Sequence, residues 1–249
     1  MISLKNISSG YRGINILDHL SYDIHNGKLI SIVGVNGSGK STLLKTILGI
    51  ISLTNGEIII DKKDINSLKR IEIAKKISYF SQEKIIPDMT VEQLVLLGRF
   101  PHIKFPKKYS SKDKEIANKA MMEFDILEYA NTSLNELSGG MRQKAYLAMA
   151  LTQDTDYILL DEPTAFLDVS HQISLMKSLK KLTEKGKTII MVMHDLPIAF
   201  EFSDEIAILS DKKIVLNGTP KDVYKSKEIM KIFKVELKYL INENKYIVI

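Results

Sequence analysis

Gly34-Val35-Asn36-Gly37-Ser38-Gly39-Lys40-Ser41 combines spaced glycines with one lysine and one hydroxyl. This is the residue set that binds phosphates. Glycines let backbone N–H groups converge on phosphate oxygens, and a following helix adds its positive N-terminal end. Lys40 is placed to neutralise β- and γ-phosphates, and Ser41 to ligate Mg²⁺. Further along, Tyr157-Ile158-Leu159-Leu160 runs apolar into Asp161-Glu162. Two carboxylates at the carboxyl edge of a parallel sheet lie where ligands bind in such folds. Asp161 would hold the metal directly or through water, and Glu162 would polarise an attacking water as general base. Pro163 leaves room for a plainer reading, in which the acids end a strand and begin a turn.

A second phosphate cradle follows the first. Ser138 is a natural N-cap, and Gly139-Gly140 permit close backbone approach before a helix over residues 141–151. Each glycine stretch is already a complete helix N-terminus, so neither explains the other within one site. A head-to-tail pair of chains accounts for both, with Ser138, Gly139 and Gly140 of one copy facing the nucleotide held by the other.

Three further residues carry two readings each. His194 follows an apolar strand and either reaches the γ-phosphate or is structural. Gln82 sits where a strand meets a helical stretch and by itself reads as a surface glutamine. Tyr11, upstream of the loop, either stacks on a base or is a half-buried strand tyrosine.

The elements that must position these groups are legible as alternating periodicities. Residues 2–8 and 20–24 read as strands broken at Ser9-Gly10 and Asn26-Gly27, and residues 29–33 as a strand buried on both faces. A helix is expected over 41–48, and strands over 57–60 and 77–80. From Thr90 to Leu151 apolar residues recur at helical spacing: Val91, Leu94, Val95 and Leu97, then Ile116, Ala120, Met121, Phe124 and Leu127. Strands at 157–160, 187–193 and 206–209 then alternate with a helix over 172–183. The expected class is α/β, with a parallel sheet interrupted by a helical insertion.

Composition narrows the chemistry. The 249 residues contain no cysteine, which excludes disulfides and thiolate metal sites, and the five histidines are scattered. No apolar run approaches the roughly 20 residues needed to span a bilayer. The first residues lack the features of a signal peptide, so the chain is expected to stay on the side of the membrane where it is made. The net charge of +5 is spread along the chain, and the lysine-rich run 104–114 reads as a solvated loop rather than a nucleic-acid patch.

In order, Tyr11, the Walker A loop, Gln82, Leu137-Ser138-Gly139-Gly140, the Walker B strand with Glu162, Leu167-Asp168 and His194 resemble the motifs of ATP-binding cassette ATPases across essentially the whole chain. The resemblance implies a P-loop NTPase fold with an N-terminal antiparallel β-subdomain and an inserted helical subdomain. Residues 1–86 and 152–249 would form the nucleotide-binding core with its β-subdomain, and 87–151 the helical part carrying the signature. It implies catalytic roles for Glu162, His194, Lys40 and Gln82. Nucleotide would be held by Tyr11, Gly34, Val35, Asn36, Gly37, Ser38, Gly39, Lys40, Ser41 and Thr42, with Ser138, Gly139 and Gly140 from the second copy. Mg²⁺ would be held by Ser41, Gln82 and Asp161. ATP would close the dimer, hydrolysis would reopen it, and the motion would pass to a membrane permease near Gln82.

Two stretches resemble the importer group for iron–siderophore complexes, haem and cobalamin: Leu97-Gly98-Arg99-Phe100-Pro101-His102 and Leu167-Asp168-Val169-Ser170-His171-Gln172. This implies permease subunits, an extracytoplasmic binding protein, a second copy of the chain, no nucleic acid, and a peripheral place on the cytoplasmic face of the cell membrane. A non-transport cassette of the iron–sulfur assembly type and an exporter subunit are the alternatives. Met141, Val35, Ser81 and Phe166 depart from the family pattern without removing a group that the chemistry requires.

Overall fold

The structure is a computed structural model and describes residues 1–81, 86–104, 108–165, 167–240 and 245–248. Gln82 and Phe166 therefore lie outside the described residues.

The chain opens with two long antiparallel strands, β1 (Ile2–Tyr11) and β2 (Ile14–Ile24), and then the short β3 (Leu29–Val33) leads into α1 (Lys40–Ile47). β4 (Leu53–Ile60) and β5 (Lys63–Asp64) follow, then α2 (Arg70–Ala74) and β6 (Ile77–Phe80). A helical block comes next: α3 (Val91–Leu97), α4 (Ser111–Glu123) and α5 (Gly139–Thr152). The alternation resumes with β7 (Tyr157–Asp161), α6 (Val169–Glu184), β8 (Thr188–Val192), α7 (Leu196–Phe202) and β9 (Glu205–Ser210). The last elements are β10 (Lys213–Gly218), α8 (Pro220–Ser226), α9 (Glu228–Phe233) and the hairpin β11 (Leu237–Leu240) with β12 (Lys245–Val248).

The central sheet has the order β10-β9-β3-β8-β7-β6, parallel except at the β10 edge. A separate antiparallel sheet, β2-β1-β4-β5, forms the N-terminal layer. Side chains alternate across a strand, so the central sheet divides the apolar interior in two. Ile30, Ile32, Leu159, Ile190 and Val192 face α1 (Leu43, Leu44, Ile47) and the antiparallel sheet. Leu29, Val33, Leu160, Ile189 and Met191 face α6, α7 and the helical block. Burial on both faces is why these strands read as continuous apolar runs rather than alternating ones.

Four differences from the sequence expectations have structural causes. Ser9-Gly10 does not break the first strand, which continues to Tyr11 through register shifts and pairs with a β2 that begins at Ile14. Bulges absorb the extra residues without ending the ladder, and Asn6 takes a left-handed φ of 51° there. The expected lysine-rich loop is in part helix: α4 starts at Ser111, because Ser110 and Asp113 form a capping box. Helical spacing does not carry through to Leu127, since Asp125 turns left-handed at φ 53° and α4 stops at Glu123. The C-terminal hairpin, absent from the sequence reading, packs through Tyr246 against Phe200, Tyr224 and Tyr239, with ring centroids 4.8–5.5 Å apart.

Candidate functional site

β3, β7 and β8 are adjacent parallel strands, so their carboxyl ends deliver Gly34, Asp161-Glu162 and His194 to one edge of the sheet. Above that edge lies a cavity of about 780 Å³ lined by Tyr11, Ile16, residues of the glycine loop, Glu162 and His194.

Lys40 begins α1 after Gly39, whose φ of 102° suits glycine far better than a residue with a Cβ. Its side chain is buried, and the ammonium donates to the carbonyls of Gly34 (2.8 Å) and Val35 (3.0 Å). No carboxylate pairs with it among the described ion pairs. Burial pushes its pKa down, opposed by the more distant negative charges of Glu162 and Asp161. A buried cation held only by carbonyl dipoles suits an anionic ligand such as phosphate. Ser38 Oγ, buried and without a hydrogen-bond partner, is a second polar group suited to a ligand.

Asn36, Gly37, Gly39, Lys40, Ser41 and Thr42 line the cavity, whereas Gly34, Val35 and Ser38 do not. Tyr11 lies at the rim, about half exposed, beside Ile16. Ser41 Oγ donates to Asp161 Oδ1 at 3.0 Å, and the Tyr79 hydroxyl donates to Asp161 Oδ2 at 3.2 Å. Burial pushes the Asp161 carboxyl up, while these two donors pull it down. No cluster of three or more His, Asp or Glu side chains suited to a metal exists among the described residues. One hydroxyl beside one carboxylate suits Mg²⁺ arriving with substrate phosphates, which complete its shell.

Glu162 has a left-handed φ of 52°, and its N–H donates to the carbonyl of Val192 at 3.2 Å. Its Oε1 lies 2.6 Å from His194 Nε2. Strain of this kind persists where the surroundings over-determine it. In the sequence Glu162 is read as the base for an attacking water and His194 as either a γ-phosphate contact or a structural residue, and the structure brings the two into direct contact.

Ser138 caps α5 by accepting from the Met141 N–H at 3.3 Å. Ser138 and Gly139 are exposed, and none of Ser138, Gly139 and Gly140 lines the Lys40 cavity. Ile16 and Tyr79 also belong to the site region and went unread in the sequence. Ile16 sits in a hairpin strand with nothing to mark it, whereas Tyr79 is the one ring-hydroxyl side chain in the strand Ile77–Phe80, a signal that could have been used.

The ABC transporter family profile matches residues 17–165 of this chain, well over half of it. The chain belongs to the ABC transporter family. The cassette is 38% identical to the petrobactin import ATP-binding protein FpuD of Bacillus anthracis, covering 94% of this chain and 87% of that protein. It is 37% identical to the ferric enterobactin transport ATP-binding protein FepC of Escherichia coli, covering 92% and 85% respectively. Among solved structures it resembles the dimeric ABC transporter cassette MJ0796, with a TM-score of 0.78 and 32% identity over 88% of this chain and 99% of that one. The ABC cassette is thus an ATPase with the P-loop NTPase fold. No described helix is long and apolar enough to cross a membrane.

The two importer-like stretches have structural roles in the cassette. Gly98 lies against α5 so closely that a Cβ there would meet the Met149 carbonyl oxygen at 2.2 Å. Arg99 is buried, pairs with Asp113 Oδ1 (2.9 Å) and donates to the carbonyl of Thr152 (3.0 Å), tying α3, α4 and the end of α5 together. His102 Nε2 lies 2.8 Å from the carbonyl oxygen of Gln153. In the other stretch, Asp168 caps α6 through the His171 N–H, and Gln172 donates to the carbonyl of Thr164. Arg99→Ala is expected to cost about 3 kcal/mol in urea unfolding, because it strands a part-buried carboxylate and an orphaned helix-end carbonyl. A loss within 0.5 kcal/mol, the usual range for surface changes, would mean the clamp is slack.

Proposed function

We propose that this ATPase energises an importer of iron–siderophore complexes, working as a head-to-tail pair beneath a membrane permease. The observation that carries the mechanism is the division of the site. Lys40, Ser41, Glu162 and His194 meet in one cavity, while the second cradle, Ser138-Gly139-Gly140, lies outside it with Ser138 and Gly139 exposed. A second copy supplies that cradle to the nucleotide, as the dimeric relative with 32% identity suggests. The transport cargo rests on relatives named for siderophore import: petrobactin, ferric enterobactin and, in Bacillus subtilis, iron(3+)-hydroxamate.

In this reading Lys40 and the loop N–H groups bind the β- and γ-phosphates, and Tyr11 with Ile16 flanks the base. Ser41 and Asp161 would hold Mg²⁺, with Gln82 expected to join them. That ion would neutralise negative charge on the phosphate oxygens. Glu162 accepts a proton from the attacking water, whose oxygen bonds to the γ-phosphorus as the bond from that phosphorus to the bridging oxygen breaks, so that the electron pair leaves on ADP and inorganic phosphate is released. His194, in contact with Glu162, keeps that carboxylate aimed and is placed to reach the γ-phosphate. The cassette then lies at the cytoplasmic face of the membrane, bound to permease subunits, with an extracytoplasmic binding protein delivering cargo.

Co-expression with the permease it serves, followed by uptake of radioiron as ferric siderophore into vesicles, tests this directly. ATP-dependent accumulation inside supports the importer. Outward movement would favour the exporter alternative, and isolation with soluble scaffold proteins alone would favour the assembly type.

A further inference from the structure

Tyr79 stands apart from every motif in the chain, yet it touches the carboxylate assigned to the metal. Three observations concern it. Its hydroxyl donates to Asp161 Oδ2 at 3.2 Å, the oxygen that Ser41 does not hold. Its strand, β6, lies in register beside β7, with Tyr79 opposite Leu159, so the ring reaches along the neighbouring strand to Asp161. The side of the ring faces an open groove of about 340 Å³ lined also by Ile50, Arg70, Ile73 and Gln153.

We propose that Tyr79 is a positioning residue for the metal, holding the outer oxygen of Asp161 so that the inner one meets the ion. The inference rests on the ATPase reading above. When Ser41 turns its oxygen to a metal, it stops donating to Asp161, and Tyr79 remains the one described side chain donating to that carboxylate. A carboxylate on a single-bonded stem rotates unless its second oxygen is held. A phenol keeps its proton at neutral pH, so Tyr79 stays a donor to that oxygen. Groups behind a metal ligand typically change metal affinity or activity by about 10–100-fold when removed.

The test is Mn²⁺ binding, read by electron paramagnetic resonance as loss of free-ion signal, with a non-hydrolysable ATP analogue present. Tyr79→Phe is expected to weaken nucleotide-dependent Mn²⁺ binding about 10-fold. It should leave metal-free nucleotide affinity unchanged, because Tyr79 does not line the cavity around Lys40. Tyr79→Leu fills the slot without a donor and should show the same loss if the phenylalanine variant folds poorly. Tyr22→Phe removes a hydroxyl bonded to Glu205, far from the cavity, and should leave Mn²⁺ binding alone. Mn²⁺ affinity within twofold of the unaltered chain overturns the role of Tyr79 while leaving the ATPase reading intact. An equal loss of metal-free nucleotide affinity also overturns it. If the unaltered chain binds no Mn²⁺ with nucleotide, both fall.

Discussion

Glu162→Gln is expected to slow ATP hydrolysis by about 10²–10⁴-fold, the usual contribution of a general base, while ATP binding persists. The amide matches the carboxylate in size, so the left-handed turn at residue 162 and its N–H bond to the Val192 carbonyl survive. The change removes a negative charge that would otherwise face the incoming γ-phosphate. It also removes the proton acceptor 2.6 Å from His194 Nε2. Binding without turnover should therefore accumulate ATP-bound dimers, visible as a doubled mass by light scattering and as a vanishing single-turnover rate. Hydrolysis unchanged from the unaltered protein would remove Glu162 from the general-base role.

Ser138→Arg is expected to abolish that trapped dimer when combined with Glu162→Gln. The side chain at 138 is exposed, and even the Cβ position of neighbouring Gly139 meets nothing within 4 Å. A long side chain therefore fits the monomer, with the lost N-cap bond to Met141 costing about 1 kcal/mol of stability. In a head-to-tail pair the same space must admit another copy's phosphates against the bare backbone, and the guanidinium stem fills it. Fluorescent ATP should still bind the monomer with unaltered affinity, since no part of 138–140 lines the Lys40 cavity. Dimers that persist with bound ATP would refute the shared site.

The two predictions differ in how much of their basis the sequence carries. The glycine loop, the paired acids after an apolar strand and the capped glycine pair were legible because phosphate and metal chemistry demands particular residue types at fixed local spacing. The strands around them were legible because burial on both faces writes a continuous apolar run. The β1 bulges were not, since an extra residue in a ladder leaves no compositional mark, and Ser9-Gly10 looked like a break. The onset of α4 at Ser111 was marked by the capping pair of Ser110 and Asp113, but the neighbouring lysines masked it. Arg99 and His102 read as a family fingerprint in the sequence. In the fold they are a clamp on the end of α5.

The sequence by itself determined that the chain handles nucleotide phosphates, and, through its motif order, which family it resembles. Those are local properties of short segments, and local spacing is what a sequence states. Strand order and packing in the fold were needed to show that His194 meets Glu162, that Tyr79 meets Asp161, and that the second cradle does not line the cavity that holds Lys40. Each of these depends on strand order and register, with β8 and β6 flanking β7 in a parallel sheet. Parallel neighbours are joined by crossovers of a dozen residues or more with no fixed upper length, so separation along the chain says little about which carboxyl ends will lie side by side.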